Sequence, residues 1–239
     1  MVLENARIGN YICEPIYEID GKLLAFELLT RFIGMDRSSK ASASSEFIIN
    51  LMSYAMKERL LTQQVELISA HAEYFQEQVV FLSINIDSDM AEIIIANNEL
   101  RARLQSLPFI RLEINESFPN LTDGQRNPLL HFLSQHFTLW LDDFGSGKAH
   151  FIALNDRLFE YVKINKEFYW EQVNNPIFLI LIGEIAKFCQ GIIVEGVERQ
   201  EQAEELYDTG IHAMQGYLWP DVALENIGAY RPSGGSYCR

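Results

Sequence analysis

The sequence lacks the features of a membrane or secreted protein. No apolar run reaches the roughly 18 residues that a membrane-spanning helix needs, and residues 1–10 lack the basic-then-apolar order of a signal peptide. Cysteines are few: Cys13, Cys189 and Cys238 are far apart and form no C-x-x-C pair. This argues against a disulfide framework and against a thiolate zinc site. We therefore expect reduced thiols and a cytoplasmic location.

Basic residues are also scarce. The 239-residue chain has 19 Lys and Arg against 33 Asp and Glu, a formal net charge of −14. No basic cluster stands out that could bind a phosphate backbone, so the composition argues against a duplex nucleic-acid binder. Hydrophobic residues make up 48% of the chain, which suffices for a continuous core and excludes a chain that is disordered throughout.

Short apolar runs, rich in β-branched or aromatic residues, predict eight strands. Stretches with the i, i+3, i+4 apolar spacing of helices lie between most of them. The strands are predicted at Tyr11–Ile19, Leu23–Leu29, Val79–Asn85, Phe109–Ile114, Phe137–Asp142, Tyr161–Ile164, Gly191–Glu195 and His212–Met214. This alternation predicts an α/β protein with a closed (β/α)8 TIM-like barrel, in which chemistry takes place at the carboxyl ends of the strands.

Local signals refine the prediction. Asp20-Gly21 leaves no room for a crossover helix and is typical of a tight hairpin, so the first strand should run antiparallel. Gly34–Ser45 is interpreted as a mobile loop, and the apolar spacing over Phe47–Met56 predicts a helix capped by Ser44 or Ser45. Because no Pro/Gly/Ser-rich linker precedes Pro232, we expect one domain over 1–230 and a flexible tail over 231–239.

Polar side chains gather at the predicted strand ends, and most of them are acidic. They are Glu27, Asn85, Glu113, Glu116, Asp142, Asp143, Lys163, Glu195, Glu198 and Gln215. In a barrel these ends converge on one face, where mutual repulsion raises carboxyl pKa values or requires cations. Oxygen ligands without Cys or His favour Mg²⁺ or Mn²⁺ over zinc. A carboxylate that bridges two ions would suit two-metal hydrolysis.

Each of these interpretations has a structural alternative. A single acidic residue at a strand end is more often a solvated loop residue or a helix cap than a ligand. Asp142-Asp143, followed by a Gly-rich stretch, suits a flexible metal-binding loop and equally well a plain turn. Lys163 lies on an apolar strand, where it is either a catalytic cation or one half of a structural ion pair.

Seven motifs, taken in order, resemble the motif series of EAL-domain cyclic di-GMP phosphodiesterases. They are Phe26–Arg31, Ser83–Asn85, Leu112–Glu116, Leu141–Gly147, Tyr161–Ile164, Val194–Glu198 and Gln215–Leu218. The resemblance covers roughly residues 11–220. It implies a (β/α)8 barrel with an antiparallel first strand, in a stand-alone EAL protein.

The resemblance also implies roles for individual residues. One Mg²⁺ or Mn²⁺ ion would be held by Glu27, Asn85, Glu113 and Asp142, and a second by Asp142, Asp143 and Glu195. The implied catalytic set adds Lys163, which would orient the water between the ions, to Glu195 and to Glu116, which would anchor the loop after Asp143. The implied substrate contacts are Arg31, Glu14, Leu28 and Gln215.

The sequence departs from the family pattern at five positions. Leu28 stands where the Glu-Ala-Leu signature has alanine, which keeps the metal carboxylate, and Glu14 replaces the glutamine of Gln-Pro-Ile. Asn165 replaces the aspartate of Lys-Ile-Asp, so one carboxylate is missing from the rim of the site. Lys148 and His150 replace small or aromatic residues after the Gly-rich stretch, where a solvent-facing histidine is more frequent than a ligand.

Three functions remain open at this point. The resemblance implies hydrolysis of cyclic di-GMP to linear pGpG, which would lower a second messenger that controls motility, adhesion or biofilm. The alternative is a degenerate EAL module that binds cyclic di-GMP or a protein partner without turnover, and the third is hydrolysis of another phosphodiester. Because every implied metal-ligand position is filled, the sequence favours the enzyme. The resemblance further implies a homodimer with contacts at Asp143–His150.

Overall fold

The computed structural model of the chain describes residues 8–32, 41–146 and 151–232. Its strands are β1 (Ile8–Glu18), β2 (Leu23–Phe32), β3 (Phe81–Asn85), β4 (Ile110–Asn115), β5 (Leu139–Phe144), β6 (Phe159–Ile164), β7 (Gly191–Val194), β8 (Ala213–Gln215) and β9 (Val222–Ala223). The strands β1 to β8 close into a barrel, in which β1 runs antiparallel to both of its neighbours β2 and β8. The other neighbours are parallel.

The predicted barrel and its antiparallel first strand are therefore confirmed. The β1–β2 hairpin turns at Gly21, whose φ of 89° lies in the region that glycine tolerates best. Lys22 N donates to Asp20 Oδ1 at 3.0 Å, which holds the turn. The sequence did not indicate β9, a two-residue strand that pairs with β1 outside the ring.

Helices cover the outside of the barrel. They are α1 (Ala41–Asn50), α2 (Tyr54–Ala70), α3 (Ala72–Gln78), α4 (Ser88–Ala96), α5 (Asn98–Gln105), α6 (Pro128–His136), α7 (Lys166–Gln172), α8 (Pro176–Ile185) and α9 (Gln200–Glu205). Short 3₁₀ helices lie at Leu121–Arg126, Phe151–Leu154 and Leu224–Ala229. Asp87, Asn127 and Asn165 each cap a helix by accepting a backbone N–H. No helix among the described residues has the length and apolarity to cross a membrane.

Two predictions before α2 need correction. The predicted helix over Phe47–Met56 is two helices, because α1 ends at Asn50 and α2 begins at Tyr54. Ser44 and Ser45 lie inside α1, so they do not cap it. The part of the predicted loop at 41–45 is helical, and the part at 34–40 lies outside the described residues.

The core has an inner and an outer part. Trp140, Tyr161, Ile16 and Ile193 belong to a buried cluster of strand side chains, and Tyr161 packs edge-on against Trp140 with ring centroids 5.1 Å apart. A larger apolar cluster joins strands to the surrounding helices. These apolar side chains fix the strands whose carboxyl ends carry the polar residues. The predicted boundary at residue 230 stays a prediction, and residues 233–239 of the predicted tail lie outside the described part.

Candidate functional site

Lys163 lies at the carboxyl end of the barrel, on β6, and is completely buried. Its Nζ contacts four carboxylate oxygens, three from side chains on β2, β4 and β5 and one from the residue after β7: Glu27 at 2.9 Å, Glu113 at 3.2 Å, Asp142 at 3.0 Å and Glu195 at 2.9 Å. One ammonium group therefore faces four carboxylates. We call these five residues the Lys163 cluster.

Glu27 links the cluster to neighbouring strands. Asn85 Nδ2 donates to Glu27 Oε1 at 2.7 Å, and Gln215 Nε2 donates to Glu27 Oε2 at 2.7 Å. Glu14 is the cross-strand neighbour of Glu27 in the antiparallel β1–β2 pair, so a further carboxylate lies beside the cluster. Because β1 runs antiparallel, it brings Glu14 to the same barrel end as the residues of the parallel strands.

Burial and repulsion raise the pKa values of Glu14 and Asp142. Burial, together with the charge of Glu27, raises the pKa of Glu14 from 4.5 to about 7. Burial and the charges of Asp143 and Glu27 raise the pKa of Asp142 from 3.8 to about 7, against the opposing effect of Lys163. The site therefore contains more carboxyl groups than its cations can keep ionised at neutral pH.

The other members of the Lys163 cluster also have shifted pKa values. Burial raises the pKa values of Glu113 and Glu195 well above their usual range. Burial would lower the pKa of Lys163, but the surrounding carboxylates outweigh it and raise that pKa well above the usual range. Burial also raises the pKa of Glu27, but Lys163 and hydrogen bonds outweigh it, so the net shift is downward.

Asp143 is held by amide groups on both of its carboxylate oxygens. Asn115 Nδ2 donates to Oδ2 at 2.8 Å, and Asn165 Nδ2 donates to Oδ1 at 2.8 Å. The backbone φ of Asp143 is 58°, in the left-handed region that non-glycine residues rarely adopt. The two amides therefore fix both the side chain and a strained backbone position.

Glu116 holds the turn that follows Asp143. It is buried and accepts hydrogen bonds from Gly145 N at 3.2 Å and from the Ser146 hydroxyl. A Cβ at Gly145 would lie 2.7 Å from the Phe168 ring, so the turn packs closely onto α7. Lys148 and His150 lie outside the described residues, as does part of the predicted dimer contact at Asp143–His150. A homodimer stays a prediction.

A cavity of about 540 Å³ opens above the Lys163 cluster. The four predicted substrate-contact residues line it: Glu14, Arg31, Leu28 and Gln215. Of these, Leu28 and Gln215 are buried, while Glu14 and Arg31 are half-buried. Glu27, Asn85, Glu113, Asp142, Asp143 and Glu195 line the same cavity. All predicted metal-ligand positions thus share one wall.

The donor set suits a hard divalent cation. One carboxylate oxygen each from Asp142, Asp143 and Glu195 lies within 4.8 Å of the others. Glu113 Oε1 is buried and has no hydrogen-bond partner among the described residues. Oxygen ligands of this kind match Mg²⁺ or Mn²⁺. A divalent cation would reduce the repulsion that raises the carboxyl pKa values.

Two features of the cavity wall were missed in the sequence. Asn115 belongs to a recognised motif, yet its contact with Asp143 depends on the parallel register that places Asn115 opposite Asp142. Lys57 on α2 is buried and contacts Asp87 and Asp89 at 2.6 Å each. Its position among the apolar residues of α2 was the available signal, because a lysine on such a face requires acidic partners.

Comparison with known proteins identifies relatives along most of the chain. The putative anti-FlhC(2)FlhD(4) factor YdiV of Escherichia coli (strain K12) is 28% identical over 229 residues, which cover 94% of this chain and 96% of that relative. The crystal structure of the EAL-like domain protein YdiV matches with a TM-score of 0.82 and 28% identity, covering 96% of this chain and 98% of that one. The EAL enzyme Bd1971, in its cAMP- and cyclic-di-GMP-bound form, matches with a TM-score of 0.70 and 20% identity, covering 92% of this chain and 63% of that one.

These relatives correct the predicted function. The sequence favoured a cyclic di-GMP phosphodiesterase, and that prediction is wrong, because relatives that span nearly the whole chain are named anti-FlhC(2)FlhD(4) factors rather than hydrolases. The prediction depended on filled metal-ligand positions. The structure explains why they could mislead, since four of these carboxylates also form an ion-pair cluster around the buried Lys163.

Family membership agrees with the fold and with the ordered motifs. The EAL domain profile matches residues 12–220, which include all eight barrel strands except the first residues of β1. The antiparallel β1 and the acidic carboxyl end of the barrel both lie inside this range. The chain belongs to the EAL domain family.

Proposed function

We propose that this chain is a non-catalytic EAL-type regulator that acts by binding a protein assembly. The observation that carries the proposal is the full-length similarity to YdiV, with a TM-score of 0.82 and 28% identity over 96% of this chain. The EAL enzyme Bd1971 is less similar, with a TM-score of 0.70. The named target of the relatives, FlhC(2)FlhD(4), is the first partner to test.

Contacts around Asp143 support a structural role for this part of the site. Asn165 stands where the family pattern has an aspartate, and its amide donates to Asp143 at 2.8 Å. Asn115 Nδ2 donates to the other carboxylate oxygen of Asp143. With both oxygens bound by amides, Asp143 holds the turn in place.

We infer structural roles for the three residues that were predicted to be catalytic. The buried Lys163 and the half-buried Glu195 are ion-pair partners, 2.9 Å apart, and Glu116 anchors the turn after Asp143. If the site binds divalent cations, Glu27, Asn85, Glu113 and Asp142 would surround one and Asp142, Asp143 and Glu195 another. In a regulator, these cations would neutralise the negative charge of the carboxylates.

We infer a cytoplasmic location for the regulator. Cys13 and Cys189 are free thiols among the described residues, which suits a reducing compartment.

Equilibrium binding tests the proposal. The purified chain is immobilised and titrated with purified E. coli FlhC(2)FlhD(4) in biolayer interferometry, and the same preparation is incubated with cyclic di-GMP and Mg²⁺ or Mn²⁺. We expect saturable binding of the assembly and no pGpG by chromatography. Absence of binding together with formation of pGpG would overturn the proposal. A known EAL phosphodiesterase, assayed in parallel, controls for competent substrate and metal.

A further inference from the structure

The cavity at the carboxyl end of the barrel is strongly acidic. Among the described residues, ten carboxylates line it against three cationic side chains. The carboxylates are Glu14, Glu27, Glu46, Asp87, Glu113, Asp142, Asp143, Glu167, Glu195 and Glu198, and the cations are Arg31, Lys57 and Lys166. An excess of this size within about 540 Å³ attracts cations and repels anions.

The lysines that line the cavity or lie beneath it are already paired with its acids. Lys163 contacts four carboxylates, and Lys57 contacts Asp87 at 2.6 Å. Lys166 lies 3.9 Å from Glu167. An anionic ligand would have to compete with these ion pairs for the same ammonium groups, whereas a cationic ligand would meet carboxylates in excess.

Buried acceptors without partners also favour a cationic ligand that donates hydrogen bonds. Gln215 is 4% exposed and lines the cavity, and its Oε1 has no hydrogen-bond partner in the part of the chain that the structure describes. Glu113 is fully buried, lines the same cavity, and its Oε1 also has no partner. Unsatisfied buried acceptors are costly, so a ligand that supplies N–H donors is favoured here.

We propose that this cavity receives a basic segment of the partner protein, with a lysine or arginine side chain inserted towards the carboxylates. The inference rests on the proposed function, since it names the site through which the regulator binds its partner. Arginine fits particularly well, because its planar group presents five donors in a fixed geometry that matches carboxylates.

The rim of the cavity suits a polypeptide. Glu198 is exposed and Glu14 is half-buried, so both acids are accessible to the residues that flank an inserted side chain. Tyr217 also lines the cavity and is 73% exposed, which offers an aromatic face to a guanidinium group. These three side chains can contact a segment that lies across the opening.

The test combines a model peptide with the assembly. Nona-arginine and FlhC(2)FlhD(4) are each titrated against the wild type, against E14Q/E198Q, and against E73Q/E77Q. The second variant makes the same two Glu-to-Gln changes at exposed positions on α3 that do not line the cavity. We expect E14Q/E198Q to weaken both ligands about tenfold at low salt and E73Q/E77Q to weaken them less than about twofold.

The outcomes separate the two proposals. If E14Q/E198Q binds the assembly as tightly as the wild type does, the basic-segment proposal is wrong while the regulator proposal stands. Equal weakening by both double variants would show a general charge effect and would also overturn the basic-segment proposal. If the wild type does not bind the assembly and forms pGpG, the regulator proposal fails, and the basic-segment proposal, which rests on it, fails with it. Circular dichroism of each variant controls for folding.

Discussion

Lys163 Nζ lies 3.2 Å from Glu113 Oε2, and both side chains are completely buried. The pair is part of the Lys163 cluster, in which three further carboxylates contact the same ammonium group. Breaking a buried ion pair by removing one partner leaves an uncompensated charge, which costs more than the pair itself contributes. The cluster therefore links the stability of the barrel to the charge state of its carboxyl end.

Lys163→Met should lower the free energy of unfolding at neutral pH by about 3–5 kcal/mol, because it leaves the carboxylates without their cation. Without Lys163 the pKa values of the carboxyls around it rise, since its charge lowers each of them. Groups whose pKa is raised by folding stabilise at low pH and lose that contribution as pH rises, so the deficit should be smaller near pH 5 than near pH 8. Urea unfolding at both pH values measures it. Lys187→Met, at an exposed pair with Glu184, is the control and should cost less than about 1 kcal/mol. Equal losses in both variants would contradict the role of the cluster.

Glu14→Gln should stabilise the protein at high pH. Folding raises the pKa of Glu14 from 4.5 to about 7, so its contribution is present below about 4.5 and is lost as pH rises through 7. Glutamine stays neutral throughout. Because Glu14 is partly exposed, we expect a gain of only about 1 kcal/mol near pH 8 and little change near pH 5. Urea midpoints at both pH values provide the measurement, with Glu73→Gln on the exposed side of α3 as the control. A gain that is the same at both pH values would contradict the burial of charge at Glu14.

Asn165→Asp should weaken the hold on Asp143. The substitution keeps the side-chain oxygen that caps α7 but replaces the amide that donates to Asp143 Oδ1 at 2.8 Å. We expect a loss of about 1–2 kcal/mol at neutral pH, recovered partly by excess Mg²⁺, since the added carboxylate also offers a ligand oxygen. Thermal unfolding with and without Mg²⁺ measures both effects. The matched control is Asn175→Asp at the cap of α8, where the amide donates to Gln172 and not to a carboxylate. Equal losses in both variants would show that only the cap matters.

Glu160→Ala should destabilise the barrel without weakening partner binding. Glu160 Oε2 accepts from Arg111 Nε at 2.7 Å and from Trp140 Nε1 at 2.9 Å, near the amino ends of the strands. Arg111 also lies 3.7 Å above the Phe81 ring. Leaving Arg111 without its carboxylate should cost about 3 kcal/mol, and Glu160→Gln should cost less because it keeps an acceptor. Unfolding curves and interferometry are compared on the same samples. Weakened binding with unchanged stability would contradict the separation of the two barrel ends.

The sequence was sufficient for the barrel because its signals are local. Apolar strands with polar ends and the Asp20-Gly21 turn determine strand positions and the antiparallel start. The break between α1 and α2 was not predictable in this way, since apolar spacing continues across Leu51–Ser53 while the helix does not. Phe47 is 63% exposed, so part of that spacing does not correspond to a buried face.

The candidate site was predictable only as a set of residues. Convergence of strand ends places Glu27 and Asp142 on one wall, as expected for a barrel. The amide hold on Asp143 required the register of β4 against β5 and a left-handed backbone, neither of which the motif reveals. The motif is also shared by family members with different functions, which is why filled ligand positions did not determine the activity.

The most direct test of the central claim is one titration with two readouts. The wild-type chain is mixed with increasing FlhC(2)FlhD(4) in the presence of cyclic di-GMP and Mn²⁺, complex formation is followed by interferometry, and the nucleotide is then quantified by chromatography. A protein-binding regulator without turnover predicts a saturable complex and intact cyclic di-GMP at every concentration. Conversion of the nucleotide to pGpG without formation of a complex would contradict the account.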